Sequence, residues 1–302
     1  MYEEMVKHSK KQLLTTERQI RSEFNKLYQF LKEEEESRLA ALREEEEQKG
    51  KTISREMKRI QEHISSLSDS IAAVEEDLQK HTQTRVQCSP PDPQLVSGAL
   101  IDVAKHLGNL SFRVWEKMKD MVRFSPVILD PNTASTDLYL SDDLTSVRNG
   151  DSNQQLPDNP ERNTAFVNVL GSEGISSGTH RWEVEVGDHP HWNVGLAKES
   201  VDRKGKVKPS PDDGIWCVTL LSGNYIDVVG ETIRVKKSLQ RIGVHLDYDR
   251  GEVSFYDPED MTRVCTHRDI FSEKLFPWFS IGPAGDAQTA DIKICQTVRG
   301  GW

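Results

Sequence analysis

Cysteines, histidines and two glycine-rich turns are the residues of this chain whose types could do chemistry. Cys88, Cys217, Cys265 and Cys295 stand far apart, and none forms a C-x-x-C pair. The ligand spacing of a structural zinc site is therefore missing. His189 and His191 lie close together with His180 upstream, but no third or fourth ligand follows at a known spacing, so no metal is expected. Cys217 sits in the apolar run Trp216–Val218 with no accompanying His-Asp arrangement. It reads as a small buried hydrophobe rather than a nucleophile. Gly171-Ser-Glu-Gly174 and Ser176-Ser-Gly178 precede strand-like runs. They lack the helix N-terminus that a phosphate cradle uses and read as turns. No catalytic residue, metal ligand or cofactor is assigned, and a hydrolase built on Cys217 or the histidines is the weakest reading of the chain.

The elements that would carry any site fall into two compositions. Residues 1–87 are rich in Glu, Lys, Leu and Ile, with one glycine and no proline, whereas most Gly, Trp and Val lie in 125–302. That is a long helix followed by a β domain. The net charge of −10 disfavours nucleic acid. The basic patch Arg203, Lys204, Lys206 and Lys208 is the exception, and its ordinary reading is a solvated loop. Met1–Lys11 is polar and no apolar stretch is long enough to span a bilayer. No membrane association, a reducing cytoplasmic location and free thiols are expected.

Residues 1–86 are expected to form a dimerisation rod, roughly 125 Å long if continuous. Ile53, Met57, Ile60, Ile64, Leu67, Ile71, Val74 and Leu78 follow one another at steps of 4 and 3, an unbroken heptad seam. Ile20, Phe24, Leu27 and Leu31 form a shorter stretch before it. Between the two, Leu31, Leu42 and Ile53 lie eleven apart, and the acidic runs Glu33–Glu36 and Glu44–Glu47 repeat at the same interval. An eleven-residue period drifts opposite to a heptad, so the supercoil is expected to straighten or reverse there. A single helix cannot bury this stripe, and each Leu or Ile left wet forgoes roughly 1.5–3 kcal/mol. The competing reading is a solvated single helix held by i,i+4 ion pairs; the isoleucine-rich seam argues for a coiled coil.

Residues 87–124 read as a connector. Cys88-Ser-Pro-Pro-Asp-Pro93 ends the rod. Leu95–Leu107 then predicts a short helix, and Val114, Trp115, Met118, Met121 and Val122 a second apolar face that folds back on the rod or docks on the β domain. From 125 the period becomes two. Trp182, Val184 and Val186 alternate, as do Ile242, Val244 and Leu246; Asp249-Arg250-Gly251 turns the chain into Val253 and Phe255. The expected architecture is a long α-helical coiled coil followed by an all-β sandwich of two antiparallel sheets.

Across 125–302, one series of motifs runs in order: Leu129-Asp-Pro131, Leu138-Tyr-Leu-Ser-Asp142, Gly178-Thr-His-Arg-Trp-Glu-Val-Glu185, Trp192-Asn-Val-Gly-Leu-Ala197, Gly214-Ile-Trp216, Leu246-Asp-Tyr248, Val253-Ser-Phe-Tyr-Asp257 and Leu275-Phe-Pro-Trp-Phe-Ser280. This series resembles the PRY-SPRY domain. A coiled coil directly before it is similar to the C-terminal half of a tripartite-motif (RING, B-box, coiled-coil) protein, and the acidic helical runs are similar to fish members of that family. The resemblance implies an elongated antiparallel rod and sandwiches whose loops read a partner protein. Family members with a RING are E3 ubiquitin ligases, often in innate immunity. The RING and B-box zinc ligands are not among these residues, so ligase activity is not carried onto them. The chain reads as a fragment, a truncated gene product or a RING-less paralogue.

The family's partner-binding face maps here onto Thr219, Leu221 and Tyr225 on the strand after Gly214-Ile-Trp216, and onto Pro283, Asp286 and Gln288 after Phe279-Ser280. Arg203, Lys204 and Lys206 in the loop 199–213 complete the set. Related members carry large aromatics where Thr219 and Leu221 stand, which puts any particular family ligand in doubt. Trp182, Trp192 and Trp216 are expected in the core. The function expected is a homodimer, or a heterodimer with relatives, presenting two heads that each bind a target protein, as the substrate-recognition part of a ligase. The alternative is a RING-less regulator that pairs with ligase relatives and competes with them.

Overall fold

The computed structural model describes residues 2–79, 97–119, 121–122, 124–205 and 208–296. The chain divides into two compact units, Ile20–Val122 and the combination of Met1–Gln19 with Arg123–Trp302. Cys88, the proline run and Lys206 lie outside the described residues, and so does the side chain of Leu78.

Helix α1 spans Tyr2–Gln79. It contains no proline, and its single glycine, Gly50, is accommodated with only Glu46 near the place of a Cβ. Ion pairs one turn apart line its solvent faces, among them Lys26–Glu23 at 2.6 Å and Lys51–Glu47 at 2.5 Å. Ile53, Met57, Ile60, Ile64 and Ile71 of the seam are exposed, and Leu67 and Val74 are half-buried.

In the unit Ile20–Val122 two short helices pack on α1. The helix expected over Leu95–Leu107 is shorter, α2 at Val103–Leu107. Its start is set by Asp102, whose side chain accepts from the Lys105 N–H at 2.9 Å. Asn109, at φ 52, separates it from α3, Leu110–Lys119. Phe112 and Trp115 stay about half exposed on α3, with ring centroids 5.7 Å apart.

The second unit is a sandwich of two antiparallel sheets. The strands are β1 (Leu138–Leu140), β2 (Ser146–Asn149), β3 (Asn168–Leu170), β4 (Thr179–Glu185), β5 (His191–Lys198), β6 (Ile215–Leu221), β7 (Asn224–Asp227), β8 (Thr232–Ile233), β9 (Arg241–Asp247), β10 (Glu252–Asp257), β11 (Thr262–Arg268), β12 (Leu275–Ile281) and β13 (Asp291–Ile294). One sheet runs β1-β2-β13-β4-β9-β10-β11 and the other β3-β12-β5-β6-β7-β8. The period-two residues meet between them: Trp182, Val184, Ile242, Val244, Leu246, Val253 and Phe255 share one core with Trp192, Val194, Trp216 and Val218. The β9–β10 turn needs glycine: Gly251 has φ +66, and a Cβ there would lie 2.0 Å from the Asp269 carbonyl oxygen.

Strands β5 and β6 are buried on both faces, which alternation does not suggest. A second apolar cluster covers the outer face of their sheet, built from Leu170, Ala197, Val201, Ile215, Cys217, Val228 and Trp278. The first turns of α1 belong to this unit. Met5, His8, Gln12, Thr15 and Gln19 form a half-buried helical stripe, and Gln12 donates to Asn132 Oδ1 at 3.2 Å.

Candidate partner-binding face

Strand register decides which candidate residues share a surface. His191 pairs with Leu221 and Ala197 with Ile215 along β5–β6, while Ile281 pairs with Trp192 along β12–β5. One end of this sheet therefore gathers the β4–β5 loop, the β6–β7 turn and the β12–β13 loop. Leu221, Pro283, Asp286 and Gln288 lie there, all exposed, with Leu221 at 42 %.

Arg203 and Lys204 do not join them. The β5–β6 loop leaves the opposite end of the hairpin, about 25 Å away at 3.3 Å per residue. Both basic residues are engaged locally. Arg203 donates to the Glu161 carbonyl at 3.1 Å, and Lys204 pairs with Asp158 and donates to the Asn159 carbonyl at 2.7 Å. Lys204 holds the Asp158 carboxyl below its ordinary value.

Tyr225 requires a correction. It is 5 % exposed, stacks edge-on against Trp192 with centroids 6.1 Å apart, and accepts from the Leu239 N–H at 2.9 Å. It pairs with Leu220, the inward neighbour of Leu221, so it faces the core. It supports the β6–β7 turn from beneath and does not offer a contact surface.

Thr219 is half-buried and hydrogen-bonds Asn193. Register extends this pair into a polar row across four strands: Asn168, Ser280, Asn193 and Thr219. Sequence reading missed Asn193, Ser280 and Asn168. They sit at alternate positions of apolar strands, and only register shows that they line up.

The rim loops are laced together by residues the motif comparison did not single out. Asp188 accepts the Gln288 N–H at 3.0 Å and the Thr289 N–H at 2.7 Å. The Thr289 hydroxyl above all, with these two backbone N–H groups, lowers its carboxyl pKa to about 2. The Gly282 N–H donates to the His191 carbonyl at 3.0 Å, and a Cβ at Gly282 would lie 2.2 Å from His191 Nδ1. Behind them His189 is completely buried. His180 lies at the far end of β4, with Nε2 2.9 Å from the Ser177 carbonyl, so the three histidines are not one cluster.

Among the described residues no group of three His, Cys, Asp or Glu side chains is placed to hold a metal ion, and no helix is long and apolar enough to cross a membrane. Cys217 lies fully buried in the outer-face cluster, and burial pushes its thiol up to about 12. A thiol so disfavoured as thiolate is a poor nucleophile.

This geometry, a two-sheet sandwich whose β4–β5 and β12–β13 loops interlock at one end, is that of a PRY-SPRY domain. Residues 127–175 match the family model of PRY, the SPRY-associated domain, and 179–295 match that of the SPRY domain. The chain belongs to the tripartite-motif family. It is 35 % identical over 292 residues to nuclear factor 7, brain, of Xenopus laevis, covering 86 % of this chain and 46 % of that protein. It is 34 % identical over 315 residues to the Homo sapiens E3 ubiquitin-protein ligase TRIM35, covering 97 % of this chain and 64 % of the relative. The chain thus spans about half to two thirds of the length of these two relatives. The crystal structure of the TRIM65 PSpry domain superposes with a TM-score of 0.46 at 18 % identity, over 62 % of this chain and 95 % of that one.

Proposed function

We propose that the chain is the target-recognition part of a tripartite-motif E3 ubiquitin ligase: α1 pairs two copies, and each PRY-SPRY rim captures a target protein for ubiquitination by a RING, in the setting of innate immunity. The observation that carries this reading is the rim itself. An exposed Leu221 at the end of β6 stands at the same sheet end as exposed Pro283, Asp286 and Gln288, whose β12–β13 loop is held by Asp188. An apolar anchor ringed by polar groups on a rigid scaffold is the common form of a protein-binding hot spot. Pairing is supported by the exposed seam Ile53, Met57, Ile60, Ile64 and Ile71, which is continued by half-buried Leu67 and Val74. Two heads on one dimer gain avidity for a multivalent target without new contacts. The ligase role rests on the named activity of relatives such as TRIM35.

The test is crosslinking capture with the full chain, comparing wild type with Leu221→Asp and Asp286→Ala. The expected result is a specific partner lost in Leu221→Asp and weakened in Asp286→Ala. Retention of every specific partner by both variants overturns the assignment of the rim.

A further inference from the structure

The buried imidazole behind the rim has a hydrogen-bond arrangement that only its neutral form can satisfy. His189 is fully buried, and its Nδ1 faces the backbone N–H of His191 at 3.3 Å. A backbone N–H can only donate, so Nδ1 must be the unprotonated nitrogen and Nε2 carries the hydrogen. Nε2 is buried and, among the described residues, has no hydrogen-bond partner. A second proton would set two N–H groups against each other and place a cation where water does not reach.

We propose that His189 is a pH-sensitive latch of the partner-binding rim: neutral, it holds the β4–β5 loop against the β12–β13 loop, and protonated it releases both and weakens capture. The inference rests on the rim being the partner-binding face. The mechanical link is short. His189 is flanked by Asp188, which accepts from Gln288 and Thr289, and by His191, whose carbonyl accepts from Gly282. Gly187 adds to the fit, because a Cβ there would lie 2.2 Å from Thr289 Oγ1. A β4–β5 loop that shifts to hydrate an imidazolium draws all these bonds away from the segment carrying Pro283, Asp286 and Gln288.

The charged and titratable groups facing His189 are Asp188 and His191 from its own loop and strand, and Asp291 from β13. The two carboxylates favour the imidazolium, while burial and His191 oppose it. Burial is the largest effect, and the pKa is lowered from the ordinary histidine value. The unfolded chain therefore takes up this proton first. The closed rim is fully stable above pH about 6.5, the ordinary histidine value. It loses stability as pH falls from there through the lowered folded value. Asp188 keeps its charge between pH 7.5 and pH 5, since its carboxyl is lowered to about 2.

Hydrogen–deuterium exchange of the intact chain, read on peptides covering 282–290 and corrected for intrinsic amide chemistry, tests the latch without any partner. Wild type is expected to lose roughly tenfold in protection between pH 7.5 and pH 5. His189→Gln, which accepts the same N–H through its amide oxygen and cannot charge, is expected to keep its protection within about twofold. A flat wild-type profile, or an equal loss in His189→Gln, overturns the latch. If His189→Gln is already unprotected at pH 7.5, the wild-type imidazole titration followed by NMR decides. A midpoint coincident with the loss of protection supports the latch, and a separate midpoint overturns it. A pH-dependent rim together with unchanged capture by Leu221→Asp removes the rim's binding role and leaves the latch standing, so the two failures are distinct.

Discussion

Lys117 of α3 donates to both carboxylate oxygens of Glu34 on α1, at 2.9 and 2.8 Å. Eleven residues further along α1, Glu45 repeats the arrangement for α2. It accepts the Asp102 N–H at 2.9 Å, Lys105 at 3.1 Å and His106 Nε2 at 2.8 Å. Eleven residues are close to three full helical turns, so both carboxylates project on one side. Glu34 and Glu45 are the members of the two acidic runs that bind connector helices, and both carboxyls are held below their ordinary value, Glu34 chiefly by Lys117 and Glu45 chiefly by the Asp102 N–H. Glu34→Gln is expected to loosen α3, raising amide exchange over Leu110–Lys119 by roughly three- to tenfold, the effect of a partly screened charge-assisted pair. Because these carboxyls are lowered in the folded state, their contribution to docking is fully present above pH about 4.5 and is lost as pH falls through their folded values. Exchange over the same peptides at pH 6, 4 and 3 checks the sign.

The seam makes a second prediction. Ile60→Asp combined with Ile64→Asp removes two side chains worth roughly 1.5–3 kcal/mol each when covered. The dimer is expected to weaken a hundredfold or more, with sedimentation velocity at micromolar concentration showing the single chain. Wild type that sediments as one well-folded chain would refute the pairing.

Tyr225 and Leu221 separate support from contact. Tyr225→Ala empties a core position and is expected to cost about 3–5 kcal/mol. Tyr225→Phe removes only the acceptor of the Leu239 N–H, at about 1–3 kcal/mol. Leu221→Ala is expected to leave the melting temperature nearly unchanged and to reduce partner capture. Thermal denaturation beside the capture assay tells the roles apart.

Gly251→Ala places a Cβ against the Asp269 carbonyl at a positive φ. The hairpin is expected to lose at least about 1–2 kcal/mol, measured as a lower urea midpoint with unchanged slope.

Thiol reactivity supplies the last prediction. Burial pushes Cys217 and Cys265 up to about 12. At pH 8 both are expected to resist a thiol-specific disulfide reagent in the native chain and to react in urea. Cys217 labelling without denaturant would contradict its burial.

Much of this organisation was legible in the residues. The 4-3 spacing from Ile53 to Leu78 gave the long helix and its unpartnered stripe, because an α-helix returns a side chain to one face every 3.6 residues. The alternation of Trp182–Val186 and Ile242–Leu246 gave the sheets, because a pleated strand faces two ways. Motif order gave the PRY-SPRY resemblance. Tertiary structure alone decided the rest. Burial of Tyr225, separation of Arg203 and Lys204 from Leu221, the row Asn168–Ser280–Asn193–Thr219, and the seating of His189 behind Asp188 all depend on strand register and sheet order. These pair residues dozens of positions apart, whereas periodicity reports only the near neighbours of a residue along the chain.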